Sequence, residues 1–144
     1  MAQSNIDMFD EITGRVFADL YNNFPCFYFL RPEDYTAPIE KSDDFMQDII
    51  EGEARLSFVA DSFYWLVESG FISGKKMADG SIKGAVLTAK GLECLKKTPD
   101  SLRPSNGTQL TEAVKSGSAA AVKNIANQVL SAGVTIALNK IGIV

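Results

Sequence analysis

Three carboxylates in the N-terminal half have the residue types and the spacing of a candidate cation site. Asp44, Asp48 and Glu51 recur every three or four residues, which places them on one side of a helix. Carboxylate oxygens are ligands that magnesium accepts in proteins. No second carboxylate motif completes the coordination, so we interpret the group as a solvated acidic face and predict no metal site.

Catalytic residues are not indicated by the sequence. The 144-residue chain contains no histidine, which is the commonest general base and metal ligand and a member of most serine and cysteine triads. Its two cysteines, Cys26 and Cys94, lack the paired spacing of a zinc site or a disulfide framework. The glycines do not form a strand-to-helix loop that would hold a phosphate. We therefore expect a non-enzymatic protein without a cofactor.

Lysines give the best indication of a nucleic-acid contact. Lys75 and Lys76 precede an Asp-Gly hairpin turn, and Lys83 follows it. They belong to the basic part of the chain, since residues 1–68 have a net charge of −10 and residues 69–144 one of +6. Lysines without interleaved arginines or aromatics neutralise phosphates but read no bases. Nucleic-acid binding through this hairpin is therefore expected to be weak.

The elements that would position these residues begin with a helix over 5–23, which a proline ends, and a short aromatic strand at 27–30. Apolar residues at helical spacing then predict two more helices. One starts near Ser42 and the other covers 53–69, with a break between them at Gly52. The side chains that we expect these two helices to bury are Phe45, Met46, Ile49, Ile50, Leu56, Val59, Phe63 and Leu66.

After the third helix the apolar period changes from helical to strand-like. The Asp-Gly turn predicts a two-stranded hairpin over 71–87, and Thr88 is positioned to cap a short helix after it. Proline, glycine and serine residues in 99–107 predict a linker. The chain is therefore expected to form a domain over 1–98, this linker, and a separate helix over 108–144.

Two segments resemble the third helix, wing and closing helix of bacterial and phage winged-helix proteins. They are 65–72 (WLVESGFI) and 87–95 (LTAKGLECL), and the likeness extends over 5–98. The predicted order of helix, strand, helix, helix and hairpin is that of this helix-turn-helix variant. The resemblance implies a mainly α protein with a small β-hairpin, an α+β winged helix-turn-helix domain, here with a C-terminal hydrophobic helix added. It also implies a third helix that enters the DNA major groove.

The predicted third helix is poorly suited to a DNA contact. Over 53–69 it carries three acidic side chains against Arg55 alone, a net charge of −2. Tyr64 or Trp65 faces outwards, and exposed rings of this kind favour a protein partner over a phosphate backbone. We therefore take Arg55, Tyr64 and Trp65 as candidates for contact with a protein partner.

The C-terminal segment has a wide apolar surface and no acidic residue after Glu112. A stripe of uncharged polar residues follows one side of it, at Asn124, Gln128, Ser131, Thr135 and Asn139. Three outcomes are open: packing back on the domain, pairing with other copies, or entering a membrane through 119–144. We expect self-association into a homo-oligomer. The residues predicted to form that interface are Val122, Ile125, Val129, Leu130, Ile136, Leu138 and Ile141.

Together these patterns predict a non-enzymatic regulatory or adaptor protein of the winged-helix class that self-associates through its C-terminal helix. Residues 1–10 lack the cationic and apolar regions of a secretory signal, so we expect a cytoplasmic location. Two alternatives stay open: a DNA-binding transcriptional regulator of the same class, and a membrane-acting effector with a soluble winged-helix domain.

Overall fold

The structure, a computed structural model, describes residues 4–36, 39, 41–96 and 105–140, with side chains up to residue 133. Helix α1 (Asn5–Asn23) confirms the first predicted helix. The Ser4 hydroxyl caps it by accepting a hydrogen bond of 3.1 Å from the amide of Asp7. The helix lies at the centre of the fold, because buried residues occur around most of its circumference: Asp10, Ile12, Thr13, Gly14, Val16, Phe17, Ala18 and Leu20.

Helix α2 (Phe45–Glu68) corrects the prediction of two helices separated at Gly52. It is one continuous helix of 24 residues, and Gly52 lies inside it. An internal glycine costs a helix about 1 kcal/mol relative to alanine, which a helix of this length tolerates. The side chain of Ile39 lies over the glycine, with its Cδ1 2.9 Å from where a β-carbon would be. The absence of a side chain at Gly52 therefore makes room for Ile39 and does not end the helix.

A three-stranded antiparallel sheet replaces the predicted two-stranded ribbon. The hairpin of β2 (Ile72–Lys76) and β3 (Ile82–Leu87) has the expected turn, in which the Gly80 amide donates to the Met77 carbonyl at 3.1 Å. Strand β1 (Tyr28–Leu30) pairs with the other edge of β3, giving the order β1-β3-β2. A short 3-10 helix (Pro32–Tyr35) follows β1.

Helix α3 (Ala89–Lys96) follows the sheet directly and is capped as predicted. The Thr88 hydroxyl accepts a hydrogen bond of 3.1 Å from the Gly91 amide and donates to the Gly70 carbonyl, two residues before β2, at 2.5 Å. The Lys90 ammonium donates to the carbonyl of Ser69 at 2.8 Å and lies 4.3 Å from the centre of the Phe71 ring. These contacts join α3 to the end of α2 and the start of β2.

The C-terminal segment forms two helices that pack on α1. Helix α4 (Asn106–Ser116) begins inside the predicted 99–107 linker, of which 99–104 lie outside the described residues, and α5 (Ala119–Lys140) follows Gly117, whose φ is +75°. At Gly14 of α1 there is no room for a side chain, because Val122 of α5 and Leu110 of α4 occupy the space. The result is a mainly helical α+β fold in which α4 and α5 share the core of the rest of the chain.

Candidate functional site

The first half of α2 carries apolar side chains that the described part of the chain leaves uncovered. Phe45 is 75% exposed, Met46 63% and Ile50 58%. Ile49 and Leu56 are also exposed, which corrects the prediction that all five are buried. We call these five residues the apolar stripe. It follows α2 for about 17 Å at 1.5 Å per residue.

The apolar stripe continues the face that α2 buries in its second half. Phe45, Ile49, Gly52 and Leu56 follow one another at alternating steps of four and three residues, and the same steps continue through the buried Val59, Phe63 and Leu66. This is the spacing with which a helix lays one seam against a partner helix. The domain core covers the seam from Val59 onwards. The remainder of the seam projects beyond it.

The carboxylates beside the apolar stripe are engaged in local structure. Asp44 caps α2 by accepting from the Gln47 amide at 3.1 Å, and Asp48 accepts from the Ser42 hydroxyl at 2.7 Å. Glu51 forms an ion pair of 2.7 Å with Arg55 one turn later. Groups of three or more metal-ligating side chains are not found among the described residues. Residues 41–57 hold five acidic and two basic side chains, so the first half of α2 and the residues just before it are negatively charged.

The residues predicted to face a protein partner lie in three different settings. Arg55 is occupied by Glu51. Tyr64 is half-buried against the hairpin, where its hydroxyl donates to the Met77 carbonyl at 3.3 Å. Trp65 is 50% exposed and lies edge-on to Phe9, with ring centres 5.3 Å apart. Of the three, Trp65 presents a free surface.

The hairpin lysines differ in their availability. Lys76 forms an ion pair with Glu68 of α2 and lies 5.2 Å from the centre of the Tyr64 ring. Lys75 and Lys83 are both exposed and are paired residues on β2 and β3. The sequence placed these lysines on one hairpin, but only the structure shows that Lys76 is paired with a carboxylate of α2.

Four of the residues predicted to pair copies of the chain through α5 have described side chains, and these are buried or partly buried in the molecule. Val122 is 4% exposed, Ile125 8% and Val129 0%, and all three belong to the hydrophobic core. Leu130 is partly buried against the same core. These four side chains pack on the chain's own helices, and a second copy cannot reach Val122, Ile125 or Val129 without unfolding the contact.

The remaining residues of that predicted interface lie beyond the described side chains. Ile136 and Leu138 are in α5 at positions whose side chains are not described, and Ile141 lies outside the described residues. None of the helices in the described ranges combines the length and the hydropathy needed to cross a membrane.

Burial raises the pKa values of several groups, and two of these groups, Tyr35 and Asp10, join elements of the fold. The Tyr35 hydroxyl donates to Asp19 of α1, and its ring lies edge-on to Phe63, so burial and the nearby carboxylate raise the pKa of the phenol well above its usual range. Burial raises the pKa of Asp10, which accepts a hydrogen bond of 3.0 Å from the Asn127 amide of α5. Raised pKa values often mark catalytic groups, but these two connect α1 to the 3-10 helix and to α5.

Comparisons with known proteins add no family to this description. Protein-family models, curated proteins and solved structures all give no significant match to the chain.

Proposed function

We propose that the protein is a non-enzymatic regulatory or adaptor protein of the winged-helix type that self-associates. The element order supports the fold type: a helix, a strand that pairs with the hairpin, a helix, the hairpin and a closing helix occur in winged-helix order. The short 3-10 helix takes the position between β1 and α2 where that fold has its second helix. The interaction surface is the projecting half of α2 instead of α5.

The apolar stripe is the observation that carries this proposal. Scattered apolar residues are normal on a surface, but a contiguous patch of large ones marks an interaction site. A seam with steps of four and three residues fits another helix, and the same half of α2 in a second copy offers the same seam. Pairing around a two-fold axis would therefore cover both stripes with identical surfaces.

Charge makes the salt dependence of this association distinctive. Residues 41–57 have a net charge of −3, so two copies of this segment repel one another. Salt screens that repulsion and strengthens the burial of apolar surface when a salting-out ion such as sulfate is used. We expect the dimer fraction to rise with sulfate concentration.

Light scattering with a charge variant tests the proposal. Ile49→Asp places a carboxylate in the stripe of each copy, and burying each one unpaired should cost about 3 kcal/mol or more, which weakens association by at least roughly a hundredfold. Gln47→Asp is the matched control, because it adds the same charge on the side of α2 that faces away from Ile49. We expect the parent and the control to have the mass of more than one chain in solution. The Ile49→Asp variant should have the mass of a single chain. A single-chain mass for the parent at high concentration, or no difference between the variants, would contradict the proposal.

Nucleic-acid binding through the hairpin is the second candidate, and one observation favours it. Lys75 and Lys83 are exposed like charges placed opposite one another on neighbouring strands, an arrangement that destabilises a hairpin. A bound phosphate would relieve it. Anisotropy of a labelled duplex should show weak binding that salt abolishes, and Lys75→Ala with Lys83→Ala should reduce the slope of log affinity against log salt by about 2. Salt is therefore expected to strengthen self-association and to weaken nucleic-acid binding.

A further inference from the structure

A second apolar surface lies on the other side of α2 from the apolar stripe. It is an open groove of about 450 Å³ between the start of α1 and the middle of α2. Its volume is in the range of sites that hold a small ligand or a large side chain. The lining residues are Asn5, Ile6, Phe9, Phe58, Asp61, Ser62 and Trp65.

Aromatic packing fixes the position of Trp65, which forms one wall of the groove. Trp65 contacts Phe9 edge-on and stacks on Phe71, with ring planes 20° apart and centres 6.4 Å apart. Lys90 lies over the Phe71 ring and is itself hydrogen-bonded to the Ser69 carbonyl. The Trp65 ring is therefore supported on one side by packing while half of its surface stays exposed. A ring held in this way is a ready surface for a flat or cationic group.

The charge of the groove indicates the chemistry of its occupant. Among the lining residues, all of which are described, Asp61 carries the one charge, and it is exposed at the rim. An apolar side chain alone would make no contact that uses this charge. A side chain with a long apolar stem and a cationic head would satisfy both the wall and Asp61.

We propose that this groove binds an arginine side chain of a partner polypeptide. The aliphatic stem of the arginine lies on Ile6 and Phe58, and its guanidinium group stacks on the exposed part of Trp65. The guanidinium N–H groups donate to Asp61. Arginine fits better than lysine because its planar head stacks on an aromatic face and donates two parallel hydrogen bonds to a carboxylate. The net charge of −10 over residues 1–68 attracts such a segment. The site is separate from the apolar stripe, so it does not depend on self-association.

Tryptophan fluorescence tests the proposal directly, because Trp65 is the only tryptophan in the chain. The full chain is titrated with a capped tetra-arginine peptide, with tetra-lysine and tetra-glutamate for comparison. We expect a saturable change in emission with tetra-arginine, weaker binding of tetra-lysine and no binding of tetra-glutamate. Asp61→Asn should weaken the binding of tetra-arginine about fivefold, the loss expected for one exposed charged contact.

A matched variant separates the groove from general attraction to an acidic protein. Glu53→Gln removes the same charge from an exposed position two turns earlier in α2 and should leave the affinity within about twofold of the parent, as expected for a screened distant charge. Ile6→Ala tests the apolar wall and should weaken binding without a change of charge. Equal losses for Asp61→Asn and Glu53→Gln, equal binding of tetra-lysine, or no saturable emission change would each overturn the arginine site.

Discussion

Leu110→Ala tests whether α4 and α5 share one core with the rest of the chain. Leu110 is fully buried, and its Cδ1 lies 3.2 Å from where a β-carbon on Gly14 of α1 would be. Truncating a buried leucine costs about 2–5 kcal/mol, and the cost rises with the volume of the cavity that remains. Gly14 has no side chain with which to fill that cavity, so we expect a value toward the upper end.

The expected loss is large enough for a thermal melt. At about 3 °C per kcal/mol for a chain of this size, the melting temperature should fall by about 6–15 °C. Leu66→Ala in α2, also fully buried, should lower the same single transition by a similar amount. Glu112→Ala, at an exposed position of α4, is the control and should stay within about 0.5 kcal/mol of the parent.

Circular dichroism and calorimetry distinguish a shared core from an independently folding C-terminal segment. If α4 and α5 formed an independent appendage, as the predicted 99–107 linker implies, Leu110→Ala would leave the transition that responds to Leu66→Ala unchanged. Two separate transitions, with each substitution moving a different one, would refute the shared core.

Three further predictions concern the contacts of α1 with α5. Because burial raises the pKa of Asp10, its contribution to stability is fully present below the unfolded pKa of about 3.9 and is lost as pH rises through the folded value. Asp10→Asn, which keeps an acceptor for Asn127, should therefore melt above the parent near pH 7, with the difference disappearing near pH 3 in a series of melts. Ile125→Asp should lower the melting temperature of the whole chain, because Ile125 is buried in the core of the same chain. A variant that stayed as stable as the parent and changed only its mass in light scattering would instead indicate an α5 interface. Gly14→Ala should destabilise by about 1–3 kcal/mol in denaturant titrations despite the better helix propensity of alanine, since its methyl group meets Val122; a more stable variant would contradict this close approach.

Local signals in the sequence were sufficient for the elements whose ends are set by neighbouring residues. Ser4 and a proline define α1, the Asp-Gly turn defines the hairpin, and Thr88 starts α3. Capping groups, turn residues and proline act on the backbone within a few residues, so their effect is visible without the fold. The same signals placed Lys75 and Lys83 on the hairpin.

Gly52 shows where a local signal is ambiguous. A glycine within apolar helical spacing ends a helix or lies inside one, and the two cases differ only in what surrounds it. Here Ile39 lies over the glycine and α2 continues past it, so the helix-break interpretation was wrong.

The tertiary structure decided which apolar faces are covered. Periodicity identifies a helix face that avoids water, but the partner that covers it can come from any part of the chain or from another molecule. The apolar stripe of α2 was predicted to be buried and is exposed, whereas Val122, Ile125 and Val129 were predicted to meet another copy and are buried on α1. Each outcome has its own tertiary cause. Gly14 lets α5 approach α1 closely, which buries the α5 residues, and the core ends at Val59, which leaves the first half of α2 uncovered.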